Sequence, residues 1–183
     1  MTVKISTLNI VNVVAYTQLN TQLNLEHVVE KLKGKAYFPR GKFPGAVIRL
    51  KGWSPATLIF KTGKLITTGG RSVKQAKQAV RNTVKALKKV NRNLEIESLK
   101  IANIVATGRL NQPLSLETVY RFLPRAIYEP EQFPGIIFTV KKVRALLFNT
   151  GGFVLTGLKT EEEAEQCAAE LVETINQALN RSR

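Results

Sequence analysis

The sequence predicts an α+β protein made of two fused copies of one sub-domain, and three observations lead there. The second half repeats the first at an offset that steps from 91 to 90 to 88 residues. Each half runs strand, helix, several strands, long helix. At 183 residues and 44% hydrophobic content the chain can bury a real core, as one domain or as two fused halves.

The repeat is explicit. Asn12 recurs as Asn103, Val14 as Val105, Tyr37 as Tyr128 and Pro39 as Pro130, all 91 residues on. Phe43-Pro44-Gly45 returns as Phe133-Pro134-Gly135 at 90, and Phe60, Gly63, Thr68 and Gly69 as Phe148, Gly151, Thr156 and Gly157 at 88. Small loop deletions shrink an offset in this stepwise way. The period is too long for a solenoid and suits two copies, residues 1–92 and 93–183. Two related halves imply a pseudo-dyad, which suits a partner that is itself nearly two-fold, such as duplex DNA.

The elements follow in order. A first strand spans Lys4 to Tyr16 and is mirrored by Leu99 to Thr107. Asn24 stands before Leu25-Glu26-His27-Val28-Val29-Glu30-Lys31-Leu32 as an N-cap, and Ser115 stands before Leu116-Glu117-Thr118-Val119-Tyr120 in the same role. Strand-like runs come next: Ala46–Lys51, Ala56–Lys61 and Lys64–Thr68, then Ile136–Lys141, Arg144–Asn149 and Phe153–Thr156, with Gly52 and Gly63 as turn residues. The closing helices run from about 72 to 90 and from about 160 to 179, capped by Ser72 and by the pair Thr160 and Glu163. In the second helix Ala164, Cys167, Ala168, Leu171, Val172, Ile175 and Leu179 form one apolar stripe, which makes Cys167 a buried thiol.

Charge divides the copies. Residues 1–92 hold 18 Lys and Arg against Glu26 and Glu30, a net of +16; residues 93–183 hold 10 against 11 Glu, a net of −1. The total of +15 points to a polyanionic partner, nucleic acid before an anionic membrane surface. No apolar run approaches the roughly 20 residues of a membrane span, and the N-terminus lacks a signal-peptide pattern. A single cysteine cannot form an internal disulfide, so a reducing compartment is expected. The chain holds no Asp, one His and one Cys, an inventory that offers no Ser-His-Asp arrangement and no His/Cys metal cluster. Neither an enzyme nor a cofactor or metal site is expected. The closing helices differ as the halves do: one exposes Lys74, Lys77, Arg81, Lys85, Lys88 and Lys89, the other Glu161, Glu162, Glu163, Glu165, Glu170 and Glu173.

The strands carry the functional argument. Alternation puts Leu58 and Phe60 on one face of their strand and Ile59 on the other. One sheet face must receive the long helices. The other still presents Val14, Leu58, Phe60 and Ile66, and in the second copy Val105, Leu146, Phe148 and Val154. An apolar face mixed with Asn and Thr and flanked by Lys and Arg suits a DNA minor groove, which offers sugar edges and base acceptors.

These residues, taken together, resemble the TATA-box-binding protein family. The resemblance runs from about Ser6 to Leu179. It rests on Asn12-Val13-Val14 and Asn103-Ile104-Val105, on Tyr128-Glu129-Pro130-Glu131-Gln132-Phe133-Pro134-Gly135, on Leu58-Ile59-Phe60-Lys61-Thr62-Gly63-Lys64 and on Leu155-Thr156-Gly157. It implies a pseudo-two-fold saddle: a curved antiparallel sheet with helices on its convex face. It also implies that Phe43 with Phe60, and Phe133 with Phe148, wedge into base steps and kink the duplex, behaviour for which this family is itself the type example. By the same resemblance Asn12 and Asn103 donate amide hydrogens to groove acceptors. Val14, Leu58, Ile66, Val105, Leu146 and Val154 form an apolar floor, and Thr68 and Thr156 add hydroxyls.

Arg49 and Lys64 match phosphate-contacting positions. Their counterparts Thr139 and Gly152 do not, which leaves second-half phosphate contact to hydroxyls or to Lys141, Lys142 and Arg144. Glu129 and Glu131 match the acidic loop that docks a B-type transcription initiation factor. The basic helix 72–90 is a surface for further initiation factors or flanking DNA. The resemblance implies an intracellular promoter factor, in an archaeal cytoplasm or a eukaryotic nucleus. Such a factor would bind A·T-rich, TATA-like double-stranded DNA as a monomer; the exposed apolar face itself leaves room for pairing with a second copy when DNA is absent. The alternative is a less specific architectural DNA-bending protein of the same fold, with the basic half supplying mostly phosphate contacts.

Overall fold

A computed structural model describes residues 2–52 and 55–181. The chain forms two compact units, each with an antiparallel sheet and helices. The first unit is Asn12–Ala102; the second joins Met1–Val11 to Asn103–Arg183. Strand β1 (Ile5–Leu19) contributes its start to the second unit and its end to the first, and β6 (Ile96–Leu110) is divided the opposite way. The chain therefore passes from one unit to the other at Asn12 and back at Asn103, one repeat on.

In the first unit β1 is followed by α1 (Leu25–Lys31), β2 (Ala36–Tyr37), β3 (Gly45–Arg49), β4 (Ala56–Phe60), β5 (Lys64–Gly70) and α2 (Val73–Leu87). Its strands lie in the order β2-β3-β4-β5-β1. In the second unit β6 is followed by α3 (Leu116–Tyr120), β7 (Gly135–Val140), β8 (Val143–Phe148), β9 (Gly152–Leu158) and α4 (Glu161–Arg181), in the order β6-β9-β8-β7. The short β2 and the extension of the first strand to Leu19 were not visible in the hydrophobic pattern. Two residues of ladder carry too little periodicity to read.

The caps are where local chemistry demands them. Asn24, Ser72, Ser115 and Thr160 each accept from the backbone N–H three residues on, at 2.9, 3.0, 3.4 and 3.1 Å. Each satisfies a donor the helix cannot use. Alternation then assigns one sheet face to the core. Val13, Ala15, Ile59 and Leu65 are fully buried, as are Ala76, Val80 and Leu87 of α2. Thr57 ties sheet to helix, its hydroxyl 2.9 Å from Thr67 and 3.1 Å from Thr83, so three buried polar groups satisfy one another. In the second unit Phe153, Leu155 and Leu147 are buried, as are Ala164, Cys167, Ala168, Leu171 and Ile175 of α4. Burial pushes the Cys167 thiol pKa upward, consistent with an inert core group.

One clamp explains the division of the chain. In the first unit Asn20 donates its backbone N–H to the Glu95 carbonyl (3.1 Å) and accepts the Glu95 N–H on its side chain (2.9 Å). In the second unit Asn111 donates to the Lys4 carbonyl (3.0 Å) and accepts the Lys4 N–H (2.9 Å). Asn111 lies 91 residues after Asn20, and Glu95 lies 91 after Lys4. Each unit is thus closed by the stretch that leads into the other copy's first strand. No helix among the described residues is long and apolar enough to cross a membrane.

Candidate nucleic-acid interface

The sheet face away from the helices is where the predicted site residues gather, unit by unit. In the first unit Val14, Leu58, Phe60, Ile66 and Thr68 are all half-buried, while their chain neighbours Val13, Ile59, Leu65 and Thr67 are buried. Register aligns them across strands: Val47 opposes Leu58, Leu58 opposes Ile66, and Ile66 opposes Tyr16. In the second unit Ile137 opposes Leu146, Leu146 opposes Val154, and Val154 opposes Thr107. Val105, Leu146, Phe148, Val154 and Thr156 are half-buried there in the same way.

Two residues along the strand from each apolar row stands a phenylalanine pair. The Phe43 and Phe60 rings lie 5.8 Å apart at 55°, and those of Phe133 and Phe148 lie 5.7 Å apart at 60°. The glycine of each Phe-Pro-Gly makes this possible. Gly45 sits opposite Phe60, and a Cβ there would come within 2.6 Å of the Ile59 carbonyl oxygen and 2.9 Å of the Phe43 ring. Gly135 sits opposite Phe148 under the same constraint, 2.9 Å from the Leu147 oxygen and 3.0 Å from Phe133. Phe43 is 39% exposed, far more than a core ring.

Both asparagines are held by a bulge. The β1–β5 register shifts between Val13 and Ala15, and the β6–β9 register between Ile104 and Val105. The extra residues fall around Gly69 (φ 92°) and Gly157 (φ 104°), in the left-handed region that glycine reaches without cost. So twisted, Gly69 donates its N–H to the Asn12 side-chain oxygen at 2.8 Å, and Gly157 donates to Asn103 at 2.8 Å. Thr68 adds a hydroxyl to Asn12 at 3.3 Å, and Asn103 reaches Thr156 at 3.5 Å. Pinning the oxygen fixes the amide plane and turns the NH2 to the donor edge; in the second unit one of its two hydrogens is directed at the Thr156 hydroxyl and the other is left over.

The charged residues are unequal. Arg49 is exposed at the end of β3, its Nε donating to Tyr37 at 3.3 Å. Lys64 places its ammonium 4.7 Å from the centre of the Tyr16 ring. Tyr16, 45% exposed on the same row as Ile66, was missed in the sequence. The available signal was its place two residues beyond Val14, on the same face of the strand. In the second unit Thr139, Arg144 and Lys142 are exposed around a two-residue hairpin that pairs Val140 with Val143. Glu129 and Glu131 are exposed in the loop before Phe133. Behind them Tyr128 donates to Glu117 at 3.2 Å and packs on Tyr120, which fixes the base of that loop.

The fold is that of a protein built from two like units, each with one sheet face free of helices. A family model described as "Transcription factor TFIID (or TATA-binding protein, TBP)" matches residues 7–90 and 98–178. The TATA-box-binding protein of Thermococcus kodakarensis is 40% identical over 168 residues, covering 90% of this chain and 88% of that one. That of Methanocaldococcus jannaschii is 37% identical over 173 residues, covering 93% and 94%. The solved structure of Methanococcus jannaschii TBP superposes with a TM-score of 0.80 at 35% identity, covering 93% of this chain and 98% of that one. The chain belongs to the TATA-box-binding protein family.

Proposed function

We propose that the protein is a transcription initiation factor that binds A·T-rich, TATA-like duplex DNA through the minor groove and bends it. Each unit takes one half of the box. The observation that carries this reading is the pinned amide on an uncovered apolar face, Asn12 with Gly69 and Asn103 with Gly157. An NH2 edge finds only acceptors in the minor groove of an A·T pair, whereas a G·C pair adds a donor that opposes it. The half-buried aliphatic rows supply sugar contacts. The paired phenylalanines unstack the flanking steps, which is cheapest at pyrimidine–purine steps such as TA. A gel-shift comparison of a TATA-type box with a G·C-scrambled duplex tests the reading; equal affinity overturns it.

The exposed Glu129 and Glu131 fit a basic surface on a B-type initiation factor, and the lysine face of α2 fits other initiation factors. Charge-reversing both glutamates should abolish the ternary complex while box binding persists. The less specific architectural reading is favoured by one observation, the net +16 of residues 1–92. It predicts a steep fall of log K with log salt and weak box discrimination. Strong discrimination excludes it. Chromosomal DNA as ligand puts the protein in an archaeal cytoplasm or a nucleus, as a monomer on its box.

A further inference from the structure

Resting on the minor-groove reading, we infer that Arg144 is the phosphate-binding cation of the second unit, having taken over across the strand pair the task that Arg49 performs in the first. The register carries this. In the first unit Arg49 of β3 lies directly opposite Ala56 of β4, and Ala56 lies opposite Thr68 of β5. In the second unit Thr139 lies opposite Arg144, and Arg144 lies opposite Thr156. The two rows read Arg-Ala-Thr and Thr-Arg-Thr. Their third members, Thr68 and Thr156, are repeat partners, and so are the half-buried Leu58 and Leu146 two residues beyond Ala56 and Arg144. The rows therefore occupy the same place on the same face. One guanidinium is present in each, moved by a single strand.

Directly opposed residues project to the same side of a sheet, and neighbouring strands are only about 4.8 Å apart. An arginine side chain is longer than that displacement, so both guanidinium groups can reach the same edge of a bound duplex. Arg49 and Arg144 are both exposed, and Arg144 has no carboxylate partner among the described residues. A planar guanidinium makes paired hydrogen bonds to phosphate oxygens, which Lys141 and Lys142 at the hairpin tip cannot reproduce. The exchange also accounts for Thr139. A second arginine beside Arg144 would set like charges directly opposite each other, which destabilises a strand pair. The tight hairpin, with Val140 opposite Val143, fixes the register that makes the substitution work.

The test is a set of salt titrations of box affinity on the full chain, comparing wild type, Arg49→Gln, Arg144→Gln, Lys142→Gln and the double exchange Thr139→Arg with Arg144→Thr. Arg49→Gln and Arg144→Gln should each weaken binding roughly three- to tenfold and reduce the salt slope by about one, leaving the box preference unchanged. Lys142→Gln should do neither, and the double exchange should restore both affinity and slope. If Arg144→Gln leaves affinity and slope at wild-type values while Arg49→Gln lowers them, Arg144 is a solvated surface residue and the inference fails alone. A double exchange that folds, by thermal melt, yet stays as weak as Arg144→Gln also overturns it. Wild-type protein with no preference for an A·T box would instead overturn the minor-groove reading itself.

Discussion

The side-chain oxygen of Asn12 accepts the backbone N–H of Gly69 at 2.8 Å, across a bulge in which Gly69 takes a left-handed φ of 92°. Asn103 and Gly157 repeat the bond at 2.8 Å. Each asparagine thereby spends its acceptor inside the protein; the NH2 of Asn12 is left for a ligand, and that of Asn103 keeps one hydrogen beyond the long contact to Thr156. Asn12→Asp keeps the bond to Gly69 but removes the donor and adds a charge facing DNA. It should cost about 1–3 kcal/mol of box affinity, a factor of roughly 10 to 100. The melting temperature should stay close to wild type. Filter binding and a thermal melt on the same preparation check both halves.

Gly45→Ala tests the packing under the first phenylalanine pair. The added methyl meets the Ile59 carbonyl, a backbone atom that cannot turn away, and the Phe43 ring. Overpacking of this kind costs about 1–3 kcal/mol of stability, and it should displace Phe43 as well. Chemical denaturation should show the loss, and box affinity should fall beyond what destabilisation explains. Gly152→Ala, where a Cβ meets nothing closer than 3.4 Å and no left-handed backbone is required, controls for a generic glycine effect on stability.

Phe60→Ala and Phe133→Ala should lower box affinity and reduce bending, read by energy transfer between the ends of a labelled duplex. Both rings are half-buried at a free face rather than locked in the core, so the variants should fold. A variant that unfolds instead would mean its ring is a core residue.

Tyr16→Thr gives the first unit the residue that Thr107 provides in the second. It removes the ring beneath the Lys64 ammonium, an interaction worth about 0.5–1 kcal/mol at an exposed site. Stability should fall by no more than that amount, since Tyr16 is 45% exposed, and box affinity should weaken because the Lys64 ammonium is no longer held over the row. An affinity equal to wild type would remove Tyr16 from the interface.

Much of this was legible because it repeats. Asn12 and Gly69 recur at different offsets, 91 and 88, yet they touch in both copies. That pairing could have been guessed from two residues kept together through separate loop deletions. The caps at Asn24, Ser72, Ser115 and Thr160 were readable because each depends on three or four neighbouring residues. Tyr16 was not readable as a site residue, since an aromatic on a strand serves core and surface equally well.

The sequence by itself determined the duplication, the α+β class, the alternation that leaves one face apolar and uncovered, and the uneven charge. All of these are properties of composition and short-range periodicity. Tertiary structure decided what depends on register. A bulge at Gly69 turns an N–H onto Asn12, a glycine opposite Phe60 makes room for Phe43, and a guanidinium missing at Thr139 is found opposite it at Arg144. Hydrophobic pattern sets which face a residue takes, but only hydrogen-bonded pairing sets which residue it faces. That pairing also closes each unit with the entry segment of the other copy, so the chain changes unit at Asn12 and at Asn103.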